Sequence, residues 1–524
     1  MTHLCAAIFV NDAAQTRRDV ARALEAGADL IELRVDRLTL ADIPMLRELL
    51  AARLARVIVT CRAGDEGGAG ELLDADRLAF LQVAAESSAE FVDLELKTFE
   101  AHPSAIHPVP GEKVETRIIL SSHDFTGRPS RLYNIITELD QSPADISKIV
   151  WLARTVRDNV EALDLLRQRR KPTIALCMGE AGIVSRVLAK KFGGFLTFAS
   201  LVEGQITAPG QVSLAEMKAL YRWDSLNEST RVYGVVAHPV RHSMSPAIHN
   251  AAFDATAFNG IYLPLLVDPS YESFKAFMET YLEAAWLGLS GLSVTIPHKE
   301  NALRYLREKD ARIEDLAMRI GAVNTIRIDR NGNVPELYGS NTDYAAILDS
   351  ITTSLHISRQ ELAGLRVGIL GAGGTGRTAV AALAHYGAEI LVNNRNSDRA
   401  EALAEEFNGQ TGRVRSVSLQ ELAKSNCDVW MNTTSVGMHP NVDANPFAPY
   451  EPALNARTVV FDAVYNPMQT KLLALAETAG AKVIGGVEMF VRQAAAQFET
   501  WTAITAPTDV MRRVIETRLS QKRA

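Results

Sequence analysis

Lys148 stands at the head of an apolar run, KIVWLA, that reads as a buried strand, so its ammonium points into or over whatever that strand lines. Two uses are open. A strand-end lysine can keep its stem on apolar surface and reach solvent with its head. Alternatively, desolvation and neighbouring arginines can favour the free amine, which attacks ketones. His123 closes the preceding strand-like run. Alone it reads as a satisfied core histidine; beside such an amine it suits a proton shuttle, because imidazole titrates near neutrality. A second chemistry lies in RVGILGAGGTGRTAV (366–380), a strand-like run entering Gly371-Ala-Gly373-Gly374-Thr-Gly376. Gly371 suits a tight turn, Gly373 a close backbone approach to a diphosphate, and Gly376 helix-on-strand packing. Residues 379–384 read as the following helix, whose N-terminus favours anions, and Glu389–Asn393 as the strand that closes a dinucleotide-binding unit.

Other polar residues say less alone. Ser243 and Ser245 precede Pro246 and are read as a helix cap or as a grip on a hydroxylated ring. Lys299 and Asp343, at the ends of GLSVTIPHK and GSNTD, read by spacing as unrelated surface charges.

The elements that must position these groups differ between the two halves. Strand-like runs recur at Cys5–Val10, Leu30–Val35, Val57–Cys61, Phe91–Leu96, Arg117–Ser122, Lys148–Ala153, Thr173–Met178 and Phe195–Ser200, with helical patterns between them. Eight such alternations predict a (β/α)8 barrel over residues 1–220, with its chemistry at the carboxyl ends of the strands. The glycine-containing loop Glu203–Gln211 after the last strand is a candidate lid. The polar stretch 221–231 marks a constrained joint. Beyond it, residues 232–343 read as a substrate lobe, 344–486 as a Rossmann lobe, and 487–524 as helices that complete the substrate lobe.

At 524 residues the chain exceeds a single core. A net charge of -7 with both signs mixed gives no basis for nucleic-acid or membrane-surface binding. No apolar run approaches the ~20 residues of a spanning helix. The N-terminus enters an apolar strand at once, with no basic or Arg/Ser-rich leader. Cys5, Cys61, Cys177 and Cys427 lack metal or disulfide spacing and read as small core residues. A cytoplasmic protein without a metal is expected, its oligomeric state open.

ELRVD (32–36), TCRAGDEGG (60–68), SSHDF (121–125), ISKI (146–149), MGEAGIVSR (178–186), TFASL (197–201) and TAPGQ (207–211) together resemble type I dehydroquinate dehydratase. The resemblance implies that Lys148 forms a Schiff base with the C3 ketone of 3-dehydroquinate. It makes His123 the proton shuttle between C2 and the departing C1 hydroxyl, Glu66 its orienting carboxylate and Arg186 the carboxylate clamp. Glu32, Arg34, Arg62, Thr207 and Gln211 become ring-binding positions. Thr207 departs from the family's usual serine, keeping the hydroxyl.

SMSP (243–246), SVTIPHK (293–299), GAVNT (321–325), NTD (341–343), GAGGTGR (371–377), NTTSVGM (432–438), YNPMQTKLL (465–473) and GGVEMFVRQAAAQF (485–498) are similar to shikimate dehydrogenase. Both resemblances in one chain match the bifunctional family. They imply Lys299 and Asp343 as the catalytic pair, with Ser243, Ser245, Thr295, Asn324, Tyr465 and Gln493 on substrate. Gln497, one turn after Gln493, is expected on the same face. Gly371, Gly373, Gly374, Gly376, Asn394, Arg395, Asn396, Arg399, Thr433, Gly486 and Met489 would hold the cofactor. Its identity follows from residues: an NAD site wants an acid at the end of the second strand, where this chain has Asn394, Arg395 and Asn396 with Arg399 beyond. Arginines there suit a 2′-phosphate, hence NADP(H). Asn396 replaces the family's usual threonine.

The expected function is therefore dehydration of 3-dehydroquinate to 3-dehydroshikimate, then NADPH-dependent reduction to shikimate. A non-catalytic sensor on the same folds would drop the lysines, histidine and aspartate that are present. A quinate enzyme using NAD conflicts with the arginines near Asn394.

Overall fold

The computed structural model describes residues 2–70, 72–103, 116–201, 210–241, 243–330, 332, 334–409 and 411–521. The chain divides into two compact units, residues 1–246 with 259–289 and residues 247–258 with 290–524.

The first unit is built on β1 (His3–Phe9), β2 (Leu30–Arg34), β3 (Val57–Thr60), β4 (Phe91–Glu95), β5 (Arg117–Asp124), β6 (Ile146–Leu152), β7 (Thr173–Met178) and β8 (Leu196–Ala199). From β1 to β7 each strand pairs parallel with the next, and β8 pairs parallel with β1. The Phe195 N–H donates to Thr173 O at 2.8 Å, linking β8 to β7. This is the expected (β/α)8 barrel. Most of its strands are short and buried, and the helix after β1 starts on a side-chain cap: Asp12 accepts from the Gln15 N–H at 2.8 Å. Lys148 is the third residue of β6 rather than its first, because polar Ser147 hides the strand's start in the sequence. In the stretch 221–231, Trp223 is buried and its carbonyl accepts from Lys190 Nζ at 2.8 Å. The unit then continues through β9 (Arg231–Ala237) and β10 (Gly260–Leu266), paired in parallel. The following helix, Tyr271–Glu283, is tied to the barrel by Tyr281 Oη donating to Val156 O at 3.0 Å.

In the second unit β11 (Leu289–Val294) and β14 (Glu336–Ser340) both run antiparallel to β13 (Thr325–Asp329), and β12 (Arg312–Ile313) runs parallel to β14. A separate parallel sheet contains β15 (Arg366–Leu370), β16 (Glu389–Asn393), β17 (Arg413–Ser416), β18 (Val429–Asn432), β19 (Val459–Asp462) and β20 (Lys482–Ile484). Its order, β17-β16-β15-β18-β19-β20, is the doubly wound dinucleotide-binding order. Ile347, Ile351 and Val380, from helices Thr342–Leu355 and Gly374–His385, share one apolar core with β15 and β16; Trp430, Phe447 and Leu472 form another. The helix after the glycine turn starts at Gly374, well before residue 379, because Gly-Thr-Gly carries no apolar periodicity by which to read its first turn. The last long helices are Gly486–Thr502 and Thr508–Gln521, and Trp501 Nε1 donates to Ile326 O on β13 at 3.1 Å. Among the described residues no helix is long and apolar enough to cross a membrane.

Candidate active sites

Glu32 and Lys148, within barrel strands, and Arg34, Arg62, Glu66, His123, Arg186 and Gln211, at or beyond strand ends, line one cavity. Thr207, with residues 203–209 of the expected lid, lies outside the described residues. The floor is apolar, from Val150, Leu176, Met178 and Phe198.

Lys148 is 3% exposed, which removes the solvent-reaching reading. Its Nζ donates to Asp93 Oδ2 at 2.6 Å, lies 3.8 Å from Glu32 Oε1 and sits 4.7 Å from the centre of the Phe198 ring. Asp93 was not among the expected site residues. It occupies the middle of β4, FVDLE, and alternation turns it inward with Phe91 and Glu95, the only signal that could have found it. Its other oxygen, Oδ1, forms an ion pair with Arg62 Nη2 at 2.9 Å and accepts from Ser121 Oγ at 2.6 Å. Burial opposes its charge, but Arg62 and Lys148 overcome this and hold its carboxyl well below the usual carboxylate range. Arg62 also donates to Glu95 Oε1 at 2.8 Å.

Glu66 Oε2 accepts from the His123 backbone N–H and meets His123 Nδ1, both at 2.9 Å. That contact favours the proton on Nδ1 and leaves Nε2 as the acceptor. Burial, then Arg62 and Lys148, push His123 well below 6.5, so its imidazole is neutral. Burial pushes Glu66 up to about 7. Gly67, at φ +84°, turns the loop beyond Glu66; a Cβ there would lie 2.3 Å from the Phe125 ring. Arg186 is buried, its Nε has no partner among the described residues, and burial lowers it to about 10. A buried guanidinium so placed is suited to an incoming carboxylate.

In the second unit Lys299 Nζ donates to Asp343 Oδ2 at 2.6 Å. Both residues sit at helix starts. Lys299 opens Lys299–Glu308, and its carbonyl accepts from the Val323 N–H at 3.0 Å. Asp343 is in the first turn of Thr342–Leu355, capped by Asn341, whose side chain accepts from the Asp343 N–H at 3.0 Å. Asn324 anchors the same turn: its Oδ1 accepts from the Thr342 N–H at 2.8 Å and its Nδ2 donates to Thr342 Oγ1 at 3.1 Å. Thr295, Tyr465 and Gln493 are half-buried. Gln497 is buried and its amide is engaged throughout. Its Oε1 accepts from Ser293 Oγ at 2.7 Å, and its Nε2 donates to Asn324 O at 3.2 Å and Thr325 Oγ1 at 3.1 Å. Its geometry is that of a strut, unlike that of Gln493 one turn earlier. Ser243 and Ser245 belong to the first unit, where the Ser245 N–H donates to Ser243 Oγ at 3.3 Å.

The glycine turn divides by role. Gly371 has φ +108°, and a Cβ on Gly376 would lie 2.0 Å from Gly371 O. Beyond Gly373 and Gly374 there is nothing within 4 Å of an added Cβ, so the backbone at the helix start is open to a diphosphate. Thr433 Oγ1 donates to Leu370 O at 2.7 Å, and Asn394 Oδ1 accepts from the Ala372 N–H at 3.1 Å, bracing the turn from two strand ends. Arg395, Asn396 and Arg399 are exposed beyond β16. Gly486 begins its helix where a Cβ would lie 2.6 Å from Ala463 O, and Met489 is half-buried against the parallel-sheet core. These residues fit a dinucleotide.

Family models agree with both halves. Residues 4–228 match type I 3-dehydroquinase, residues 235–326 the shikimate dehydrogenase substrate binding domain, residues 354–464 shikimate/quinate 5-dehydrogenase, and residues 486–516 the shikimate 5'-dehydrogenase C-terminal domain. The chloroplastic bifunctional 3-dehydroquinate dehydratase/shikimate dehydrogenase of Arabidopsis thaliana is 36% identical over 523 residues, covering 97% of this chain and 83% of that protein. A shikimate dehydrogenase (NADP(+)) of Methanosarcina mazei is 39% identical over 293 residues, 54% of this chain and 97% of the relative. A crystal structure of shikimate 5-dehydrogenase from Thermus thermophilus, in complex with NADP(H) and shikimate, aligns with TM-score 0.45 and 31% identity over 55% of this chain and 99% of that one. The chain belongs to the bifunctional 3-dehydroquinate dehydratase/shikimate dehydrogenase family of the shikimate pathway.

Proposed function

We propose that the barrel cavity dehydrates 3-dehydroquinate through Lys148 and that the Lys299–Asp343 pair serves the reduction of the product to shikimate. The observation that carries the first half is a buried lysine, a neutral histidine held by a carboxylate, and a buried guanidinium whose Nε has no partner among the described residues, all on one cavity. Arg186 takes the substrate carboxylate and so sets which ring carbon faces Lys148. Glu32, Arg34, Arg62 and Gln211 bind ring hydroxyls, with Thr207 as a further ring contact. The Lys148 nitrogen condenses with the ketone, and the resulting iminium draws electrons from the adjacent C–H bond. His123 Nε2 takes that proton and returns it to the departing hydroxyl, which leaves as water. Glu66 keeps the imidazole in the tautomer that can do this. Borohydride added with 3-dehydroquinate should fix a covalent adduct on the Lys148 peptide; an unmodified peptide refutes the mechanism.

For the reduction, Lys299 donates a proton to the oxygen that gains charge, and Asp343 holds that ammonium in place. Ser243, Ser245, Thr295, Asn324, Tyr465 and Gln493 hold the substrate, with Asn324 also setting the Asp343 turn. Gln497 supports Asn324 from behind. The cofactor is NADP(H), whose nicotinamide supplies the hydride. Gly371 and Gly376 shape the turn, Gly373 and Gly374 leave room for the diphosphate, and Thr433 and Asn394 brace it. Arg395 and Arg399, beside Asn396, provide charge for a 2′-phosphate, and Gly486 and Met489 belong to the same cofactor face. In domain terms, residues 1–220 carry the dehydratase and 221–231 the joint. Residues 232–343 with 487–524 form the substrate lobe and 344–486 the nucleotide lobe. The four free, buried cysteines support a reducing compartment such as the cytoplasm.

A further inference from the structure

We propose that Asp93 is the counter-ion of the reacting nitrogen in the barrel, pairing Lys148 as an ammonium before it meets the ketone and as an iminium afterwards. This role rests on the Schiff-base reading of Lys148 and goes beyond it by naming the group that keeps the intermediate cationic.

An ammonium and a ketone give an iminium and water: three N–H hydrogens become one N–H and the two hydrogens of water, and the single positive charge stays on the same nitrogen. A carboxylate placed for the first species is therefore placed for the second. Asp93 Oδ2 stands 2.6 Å from Lys148 Nζ, close enough to accept the N–H that survives condensation. The other carboxylate nearby, Glu32, is farther at 3.8 Å and accepts from Thr60 Oγ1 at 2.9 Å. Asp93 itself cannot swing away. It is fully buried, and its second oxygen is held by Arg62 and Ser121 at 2.9 and 2.6 Å. When the C2 proton leaves and the nitrogen turns neutral, Arg62 remains as a partner, so the carboxylate is never stranded in the apolar barrel. Charged and titratable groups around the pair come from several strands: Cys5 on β1, Glu32 on β2, Arg62 and Glu66 beyond β3, Glu95 on β4 and His123 on β5. Of the carboxylates among the described residues, Asp93 alone makes the short contact with Nζ.

The test uses the full chain with 3-dehydroquinate and borohydride, reading the fraction of Lys148 peptide carrying the adduct from pH 7 to 10. In the parent protein the adduct persists to high pH. In Asp93→Asn the alkaline loss moves down by about one to three pH units, as expected when an opposite charge is removed from a cation. Leu163→Ala, a buried position in the helix Asp158–Gln168 outside this network, retains the parent profile and controls for simple loosening of the barrel. An Asp93→Asn profile that overlays the parent overturns the proposal. Should Asp93→Asn not fold, Asp93→Glu must keep the alkaline limb at a lower rate, and a displaced limb there also overturns it. Absence of any adduct in the parent protein would instead refute the Schiff-base reading itself.

Discussion

Each half of this chain holds a lysine–carboxylate pair, both 2.6 Å long, and the surroundings of the two differ. Lys148 and Asp93 are 3% and 1% exposed, rise from the middle of barrel strands, and are locked into arginine, serine and glutamate. Lys299 and Asp343 are 26% and 12% exposed and project from the first turns of two helices. The distance alone therefore does not define the chemistry. A buried pair surrounded by fixed charges controls the charge state of a nucleophile, as covalent catalysis needs. A partly open pair at helix starts can meet a substrate oxygen and hand over a proton, as hydride addition needs.

The comparison is most exposed to mutation in the barrel. His123→Ala should slow dehydration by about 10³-fold or more while reduction of 3-dehydroshikimate keeps its rate, measured in separate steady-state assays. A shared loss would mean that the two pairs are not independent.

Buried charge also predicts a pH dependence of stability. Burial raises Glu66 from 4.5 to about 7, so between those values the folded barrel keeps a proton that the unfolded chain releases. That contribution is full below pH 4.5 and is lost as pH rises through about 7. Thermal unfolding of the parent minus Glu66→Gln should therefore fall by at most about 3 kcal/mol between pH 5 and 8. A flat difference contradicts the burial argument. His123 acts with the opposite sign, since its lowered value costs stability as pH falls below 6.5.

Smaller effects are expected in the open half. Arg395→Ala should reduce the NADPH-over-NADH preference about tenfold, the worth of one charge-assisted contact at an exposed site, in initial-rate assays with each cofactor. Gln497→Ala should cost about 1–3 kcal/mol of stability, because Ser293, Thr325 and the Asn324 carbonyl lose a buried partner. Its KM for shikimate should change less than about twofold; a larger rise would make Gln497 a substrate ligand instead of a strut.

Much of this was legible in the sequence, unevenly. The barrel showed because its buried strands are short apolar runs at regular intervals, whereas Lys148, at the head of one run, kept two uses open until the ordered motifs and its 3% exposure decided between them. Gly371–Gly376 showed because left-handed backbone and close packing select glycine. Asp93 stayed hidden next to Glu95, since only inward alternation and a partner two strands away distinguish it. Gln497 looked like Gln493 because helical spacing gives a face but not which amide is already bonded. The Lys299–Asp343 contact spans residues far apart in the chain, so spacing held nothing of it and only the ordered motifs pointed there.

The central claim is that each lysine serves one reaction. Incubating the full chain with 3-dehydroquinate and NADPH, and following 3-dehydroshikimate and shikimate, tests it directly in Lys148→Ala and Lys299→Ala. The account predicts that Lys148→Ala consumes no dehydroquinate yet reduces added 3-dehydroshikimate, whereas Lys299→Ala accumulates 3-dehydroshikimate and forms no shikimate. Dehydration by Lys148→Ala, or loss of both activities in either variant, would contradict it.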